Sequence, residues 1–146
     1  MTNPCLICAG DVGDVELGRV RVWESDLWRV STSLIAPISG FSYVEPKRHI
    51  PYITDLDGIE ATTLGTVLSS TSRVIKAITG AEFVFVNVFG QRIAHLHFNL
   101  APHVSGGPLR GGAGMLDAGA PPLPADDLRT VAEEIGRELD VTMSPD

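Results

Sequence analysis

The stretch His95-Leu96-His97-Phe98-Asn99-Leu100-Ala101-Pro102-His103 holds three of the chain's four histidines. On a strand, residues two apart share a face, so this spacing predicts His95, His97 and Asn99 on one side and Leu96, Phe98 and Leu100 on the core side. A single histidine in such a pattern reads as a solvated side chain. A His-x-His-x-Asn row, apolar at every alternate position and preceded by Gly90-Gln91, reads as a site instead. The imidazole titrates near neutrality and serves as nucleophile, acid or ligand.

Outward from this stretch the pattern is that of an α+β domain. Residues 82–89 and 94–101 are β-branched and aromatic runs separated by Gly90-Gln91, which predicts two adjacent antiparallel strands. Residues 19–24 alternate, and Trp28-Arg29-Val30 follows Ser25-Asp26, the pattern of a hairpin; a further strand is expected over 41–45, ended by Pro46. Over 57–79, Ile59, Leu64, Val67, Leu68, Val74, Ile75 and Ile78 recur at three- and four-residue steps. That is one helical stripe, with Asp57 and Glu60 spaced as a capping box and Gly80 placed as the C-terminal cap. A last helix over 126–139 carries the stripe Leu128, Val131, Ala132, Ile135 and Leu139. Residues 105–124 contain six Gly and four Pro and read as a loop. The expected organisation is a domain core over 1–104, a Gly/Pro-rich loop over 105–125, and a C-terminal helix with a short tail over 126–146.

With 146 residues, 44% of them hydrophobic and 20% charged, the chain has the composition of one ordinary folded domain. The uncharged stretch over residues 30–44 is broken by Pro37 and Gly40, and no segment is expected to span a bilayer. The N-terminus lacks the basic and apolar regions of a signal peptide, giving a cytoplasmic expectation. A formal charge of −7 argues against a nucleic-acid partner, which would need clustered Lys and Arg, but leaves a small anionic ligand open. The two cysteines, Cys5 and Cys8, are spaced C-x-x-C, which in a reducing compartment points to metal or redox chemistry rather than a structural disulfide. Trp23 and Trp28 read as packing.

The ordered set of motifs resembles the histidine triad superfamily, whose signature is His-φ-His-φ-His-φ-φ with φ apolar. Pro46-Lys47-Arg48-His49-Ile50 is similar to that family's Pro-Lys-x-His-Ile element, and Gly90-Gln91 precedes His95 at the family's distance. The resemblance covers residues 5–103. It implies a strongly bent antiparallel sheet of about five strands with two helices, paired as a homodimer, and a nucleotide as the small-molecule partner.

Carried over residue by residue, His97 matches the central histidine that attacks the α-phosphorus and forms a nucleotidyl-histidine intermediate, with His95 and Asn99 completing the catalytic set. Asn87, Gln91, Arg92 and His103 fall at substrate-binding positions. The resemblance implies a nucleotide hydrolase, acting on substrates such as dinucleoside polyphosphates, adenylyl sulfate or nucleoside phosphoramidates. It also allows a nucleotidyltransferase or phosphorylase, or a non-catalytic nucleotide-binding protein. Three departures mark this chain: Asn99 stands for the third histidine, Arg92 for the usual serine or threonine, and no acidic residue stands near Ser33 for the ribose. A carboxamide can donate a hydrogen bond to a phosphate oxygen but cannot give up a proton at neutral pH. One branch of the superfamily, similar to galactose-1-phosphate uridylyltransferase, carries glutamine at that position, and it binds zinc through a C-x-x-C pair and two histidines. The matching residues here are Cys5, Cys8, His49 and His95, the donor set of a closed structural zinc site.

Overall fold

A computed structural model of the chain describes residues 5–89, 92–108 and 120–143. Its elements are α1 (Asp11–Leu17), β1 (Arg19–Glu24), β2 (Trp28–Ser33), β3 (Ser42–Pro46), α2 (Gly58–Thr79), β4 (Phe83–Val88), β5 (Phe98–His103) and α3 (Ala125–Thr142). The strands form one five-stranded sheet in the order β1-β2-β3-β5-β4, antiparallel at every pairing. The β1–β2 hairpin turns where Ser25 Oγ accepts the backbone N–H groups of Leu27 and Trp28, and its register shifts at a bulge between Arg21 and Trp23.

Alternation sorts the sheet residues onto two faces. One face presents Val30, Val44, Phe98 and Leu100 to α2 and α3, which contribute Val67, Val74, Ile75, Ile135 and Leu139 to the main core. The stripe expected on α3 is buried at Leu128, Ala132, Ile135 and Leu139. On α2 the stripe holds except at Ile59, which is exposed in the first turn. Gly80, at φ 71°, takes the left-handed conformation that closes α2.

Four expectations change. The described residues contain three helices rather than two, because α1 is only seven residues long, too short to show a helical period in the sequence. Helix α3 runs from Ala125 to Thr142, longer than expected at both ends. The capping box at Asp57 does not form; both Asp57 and Glu60 instead bind the Arg48 guanidinium, at 2.9 and 3.1 Å. A cation with paired donors outcompetes a backbone N–H for carboxylates. Finally, β5 begins at Phe98 rather than near residue 94. The backbone N–H of Leu96 leaves the ladder to bind the Ile50 carbonyl at 2.7 Å, carrying His95 inward.

Candidate active site and metal centre

His95 is fully buried and departs from the row facing solvent that alternation predicts. Its ring stands among Cys5, Cys8 and His49, and the four ligand atoms lie within 4.8 Å of one another. His95 Nδ1 is 3.2 Å from His49 Nδ1, 3.4 Å from Cys8 Sγ and 3.5 Å from Cys5 Sγ; Cys8 Sγ is 3.3 Å from His49 Nδ1. With metal–sulfur bonds near 2.3 Å and metal–nitrogen bonds near 2.0–2.1 Å, the donors of a tetrahedral zinc lie about 3.3–3.8 Å apart. Four of the six donor pairs, at 3.2–3.5 Å, stand close to that spacing. The Cys8 backbone N–H points at Cys5 Sγ, 3.4 Å away, as in a turn wrapped around a metal-bound sulfur.

The far side of the His95 ring supports the same reading. Nε2 lies 2.8 Å from the Pro46 carbonyl, which can only accept, so the proton sits on Nε2 and the Nδ1 lone pair faces the cluster. Burial pushes the His95 pKa down to about 4, leaving the ring neutral at pH 7 as a ligand must be. Burial and the neighbouring Cys5 push the Cys8 thiol up, while Arg29 opposes them. A bound cation would supply the charge that makes both sulfurs thiolates.

His97 is half-buried, immediately before β5. Its Nδ1 is 2.8 Å from the carbonyl of His95, which fixes the proton on Nδ1 and leaves the Nε2 lone pair free. Two residues on, Asn99 pairs with Tyr43 on β3 and with Asn87 on β4, so Tyr43, Asn99 and Asn87 form a polar row across three strands. Among the described residues, Asn99 Oδ1 and Asn87 Nδ2 are both buried without a hydrogen-bond partner. Unpaired buried amide atoms are costly, and here a donor and an acceptor stand on paired residues of neighbouring strands, two residues on from His97. Beyond this row, on the same face, Phe41, Ala101, Ala36 and Ile38 form a smaller apolar cluster, with Tyr43 and Phe85 packed against it.

The other sequence-predicted residues divide. Asn87 lies in the polar row. Gln91 falls outside the described residues, and Arg92 is exposed in the segment leading to His95. His103 is not brought to His97: it pairs with Phe83 at the opposite end of β5, about 17 Å along the strand from Phe98 at 3.3–3.4 Å per residue. There its ring stacks on Phe83, centroids 6.4 Å apart.

One part of the site went unread in the sequence. Arg19 grips Glu45 with both terminal nitrogens, at 2.8 and 2.9 Å, and gives its Nε to Asp14 at 2.8 Å. Glu45 is fully buried, and Arg29 Nε lies 3.3 Å from Oε1, the oxygen that also accepts from Arg19 Nη2. Arg29 and Glu45 are paired in register on the face opposite the main core, at positions where two inward charges would be prohibitive unless they met. That pairing of inward charges on consecutive strands was the available signal.

No family model and no curated relative matches the chain. Solved structures do. A histidine triad protein from Sinorhizobium meliloti matches with a TM-score of 0.72 at 20% identity, over 84% of this chain and 91% of that one. One from Marinobacter aquaeolei matches at 0.71 and 19%, over 87% and 94%. A zinc-bound histidine triad family protein from Mycobacterium smegmatis matches at 0.67 and 17%, over 94% and 96%. The five-stranded antiparallel sheet, its helices and the placement of the histidine stretch at the start of β5 therefore make this chain a histidine triad fold.

Proposed function

We propose that the chain is a nucleotide hydrolase that works through a covalent intermediate on His97. The observation that carries this is the His97 ring, pinned through Nδ1 to the His95 carbonyl so that its lone pair is on Nε2, two residues before Asn99, whose Oδ1, like Asn87 Nδ2 on the paired strand, has no partner among the described residues. Nε2 attacks the α-phosphorus, a nitrogen–phosphorus bond forms, and the leaving group departs with the electron pair of its own bond to phosphorus. The Nδ1–H bond to the His95 carbonyl holds the imidazolium created in that step. Water then attacks phosphorus, the nitrogen–phosphorus bond breaks and the ring returns to neutrality, so one hard displacement becomes two easier ones. The Asn99 carboxamide favours one second reading, transfer of the nucleotidyl group to a phosphate or sugar-phosphate acceptor in place of water.

Cys5, Cys8, His49 and His95 would hold one zinc ion, which would supply a fixed cross-link between the N-terminal segment, the loop after β3 and the segment before β5. The β4 edge supports a homodimer: Phe83, Val86 and Val88 are exposed on a strand whose outer edge has no neighbouring strand among the described residues, and a second copy would cover it. Among the described residues no helix is long and apolar enough to cross a membrane. The cytoplasmic assignment rests on the sequence.

The test is to trap the intermediate. Protein mixed with a dinucleoside polyphosphate or adenylyl sulfate and quenched in base should give a nucleotidyl adduct on the peptide containing His97, since phosphorus–nitrogen bonds to imidazole are acid-sensitive. Turnover with the label on another residue, or with none, would refute the covalent route.

A further inference from the structure

We propose that Arg29 is a positioning residue for the Cys5–Cys8 turn, holding it in ligating geometry from outside the metal's own coordination sphere. The proposal rests on the metal reading above. Arg29 on β2 is almost fully buried, and its Nη2 donates to the carbonyl of Ile7, between the two cysteines, at 3.4 Å. Its Nε lies 3.3 Å from Glu45 Oε1 as an ion pair without a hydrogen bond, and Glu45 is held by the two-pronged grip of Arg19. Arg19 in turn binds Asp14 on α1 at 2.8 Å. Helix α1 begins just past the cysteine turn and lies directly against it: a Cβ on Gly13 would sit 1.7 Å from the Leu6 carbonyl oxygen.

The contacts therefore close a ring. The chain runs from Ile7 through α1 to Asp14, then by ion pairs through Arg19 and Glu45 to Arg29, and back by hydrogen bond to Ile7. Two arginines and two carboxylates balance the ring's charge, as buried charges require. The ring anchors the short segment carrying two of the four ligands to β1, β2 and β3, while the other two ligands come from loops elsewhere. The buried Ile7 side chain fixes one side of this segment; without the Arg29 bond to its carbonyl, the metal would have to order the cysteine backbone on binding. A metal site assembled beforehand binds more tightly because that ordering cost is already met.

The experiment compares zinc affinity by competition with a chromogenic chelator, and the visible spectrum of the cobalt-loaded protein, in the unsubstituted chain and in Arg29→Lys. Lysine keeps a cation beside Glu45 but, with one nitrogen, cannot serve Glu45 and the Ile7 carbonyl from the same fork. Because the Ile7 bond is long, we expect about tenfold weaker zinc affinity, the low end of the range for losing an outer-sphere partner. The cobalt bands should broaden while the metal-free protein remains folded. Zinc affinity within twofold of the unsubstituted chain, even with a lowered melting temperature, overturns the proposal and leaves the ring a structural feature alone. If Arg29→Lys does not fold, Glu45→Gln, which releases Arg29 while keeping the side-chain shape, is read by the same criterion. Failure of both to fold also overturns it, since the ring would then hold the domain and not the turn. An unsubstituted chain that binds neither metal defeats the metal reading and this proposal together; one that binds zinc as tightly as Arg29→Lys defeats the proposal alone.

Discussion

Replacing His97 by alanine separates chemistry from folding, because the two consequences differ greatly in size. In the fold, the side chain is half-buried and, among the described residues, makes one hydrogen bond, Nδ1 to the His95 carbonyl at 2.8 Å. Losing one such bond costs about 1 kcal/mol, or a melting shift of about 2–4 °C for a domain of this size. Nucleotide binding should change by less than about tenfold, since a residue that acts covalently contributes little to ground-state affinity. Removing a covalent nucleophile, by contrast, lowers kcat on the order of 10⁶-fold, about 8 kcal/mol of barrier. The assay is kcat and KM on a dinucleoside polyphosphate, nucleotide affinity by calorimetry and thermal melting, all on the same preparation of His97→Ala. A variant that binds, melts near the unsubstituted protein and has no measurable turnover is the expected result. Turnover within about tenfold of the unsubstituted enzyme would refute the assignment of His97 as the attacking group.

Three further outcomes follow from the geometry. With asparagine at 99 no positioned acid protonates the leaving group, an assistance worth about 10²- to 10⁴-fold, so adenylyl sulfate and adenylated polyphosphates should exceed an alkyl phosphoramidate in kcat/KM and Asn99→His should narrow the gap; equal rates in the unsubstituted enzyme would show that another group gives the proton. Purified protein should carry about one zinc per chain by elemental analysis, and Cys5→Ser with Cys8→Ser should lose it and melt lower, whereas metal-free protein indifferent to chelators would count against the site. On the β4 edge, Val86→Lys should convert a dimer to a monomer in light scattering, because a buried cation at the centre of a strand pairing is strongly disfavoured; an unchanged mass would place the contact elsewhere.

The sheet and its two long helices were legible because period-2 and period-3.6 patterns are written by burial against one core, as at Val30, Val44, Val74, Ile75, Ile135 and Leu139. The metal ligands were legible as residue types at family spacing, and the four do converge. What stayed hidden depends on contacts distant in sequence. Helix α1 has exposed Val12 and Val15 and is held by the Asp14–Arg19 ion pair, which no local pattern encodes. The resemblance implies a substrate-binding position for His103, and strand rise carries that residue to the far end of β5 from His97. Arg19, Arg29 and Glu45 read as ordinary surface charges until the register of three strands sets them together.

His95 shows why the row could not be a plain strand. Its ring must reach Cys5, Cys8 and His49 on the buried side, while its carbonyl must hold His97 Nδ1 on the side where Asn99 and Asn87 lie. A regular strand would place the rings of residues 95 and 97 on the same face and direct the backbone carbonyls sideways into the ladder. Both demands are met only if the chain leaves the ladder before Phe98, and the Leu96 N–H bond to the Ile50 carbonyl, one residue past His49, takes it out. That bond ties the segment carrying one ligand histidine to the segment carrying the other. The same departure that closes the metal cluster therefore sets the orientation of the imidazole meant to attack phosphorus. Any change that returned residues 95–97 to strand pairing would loosen both at once.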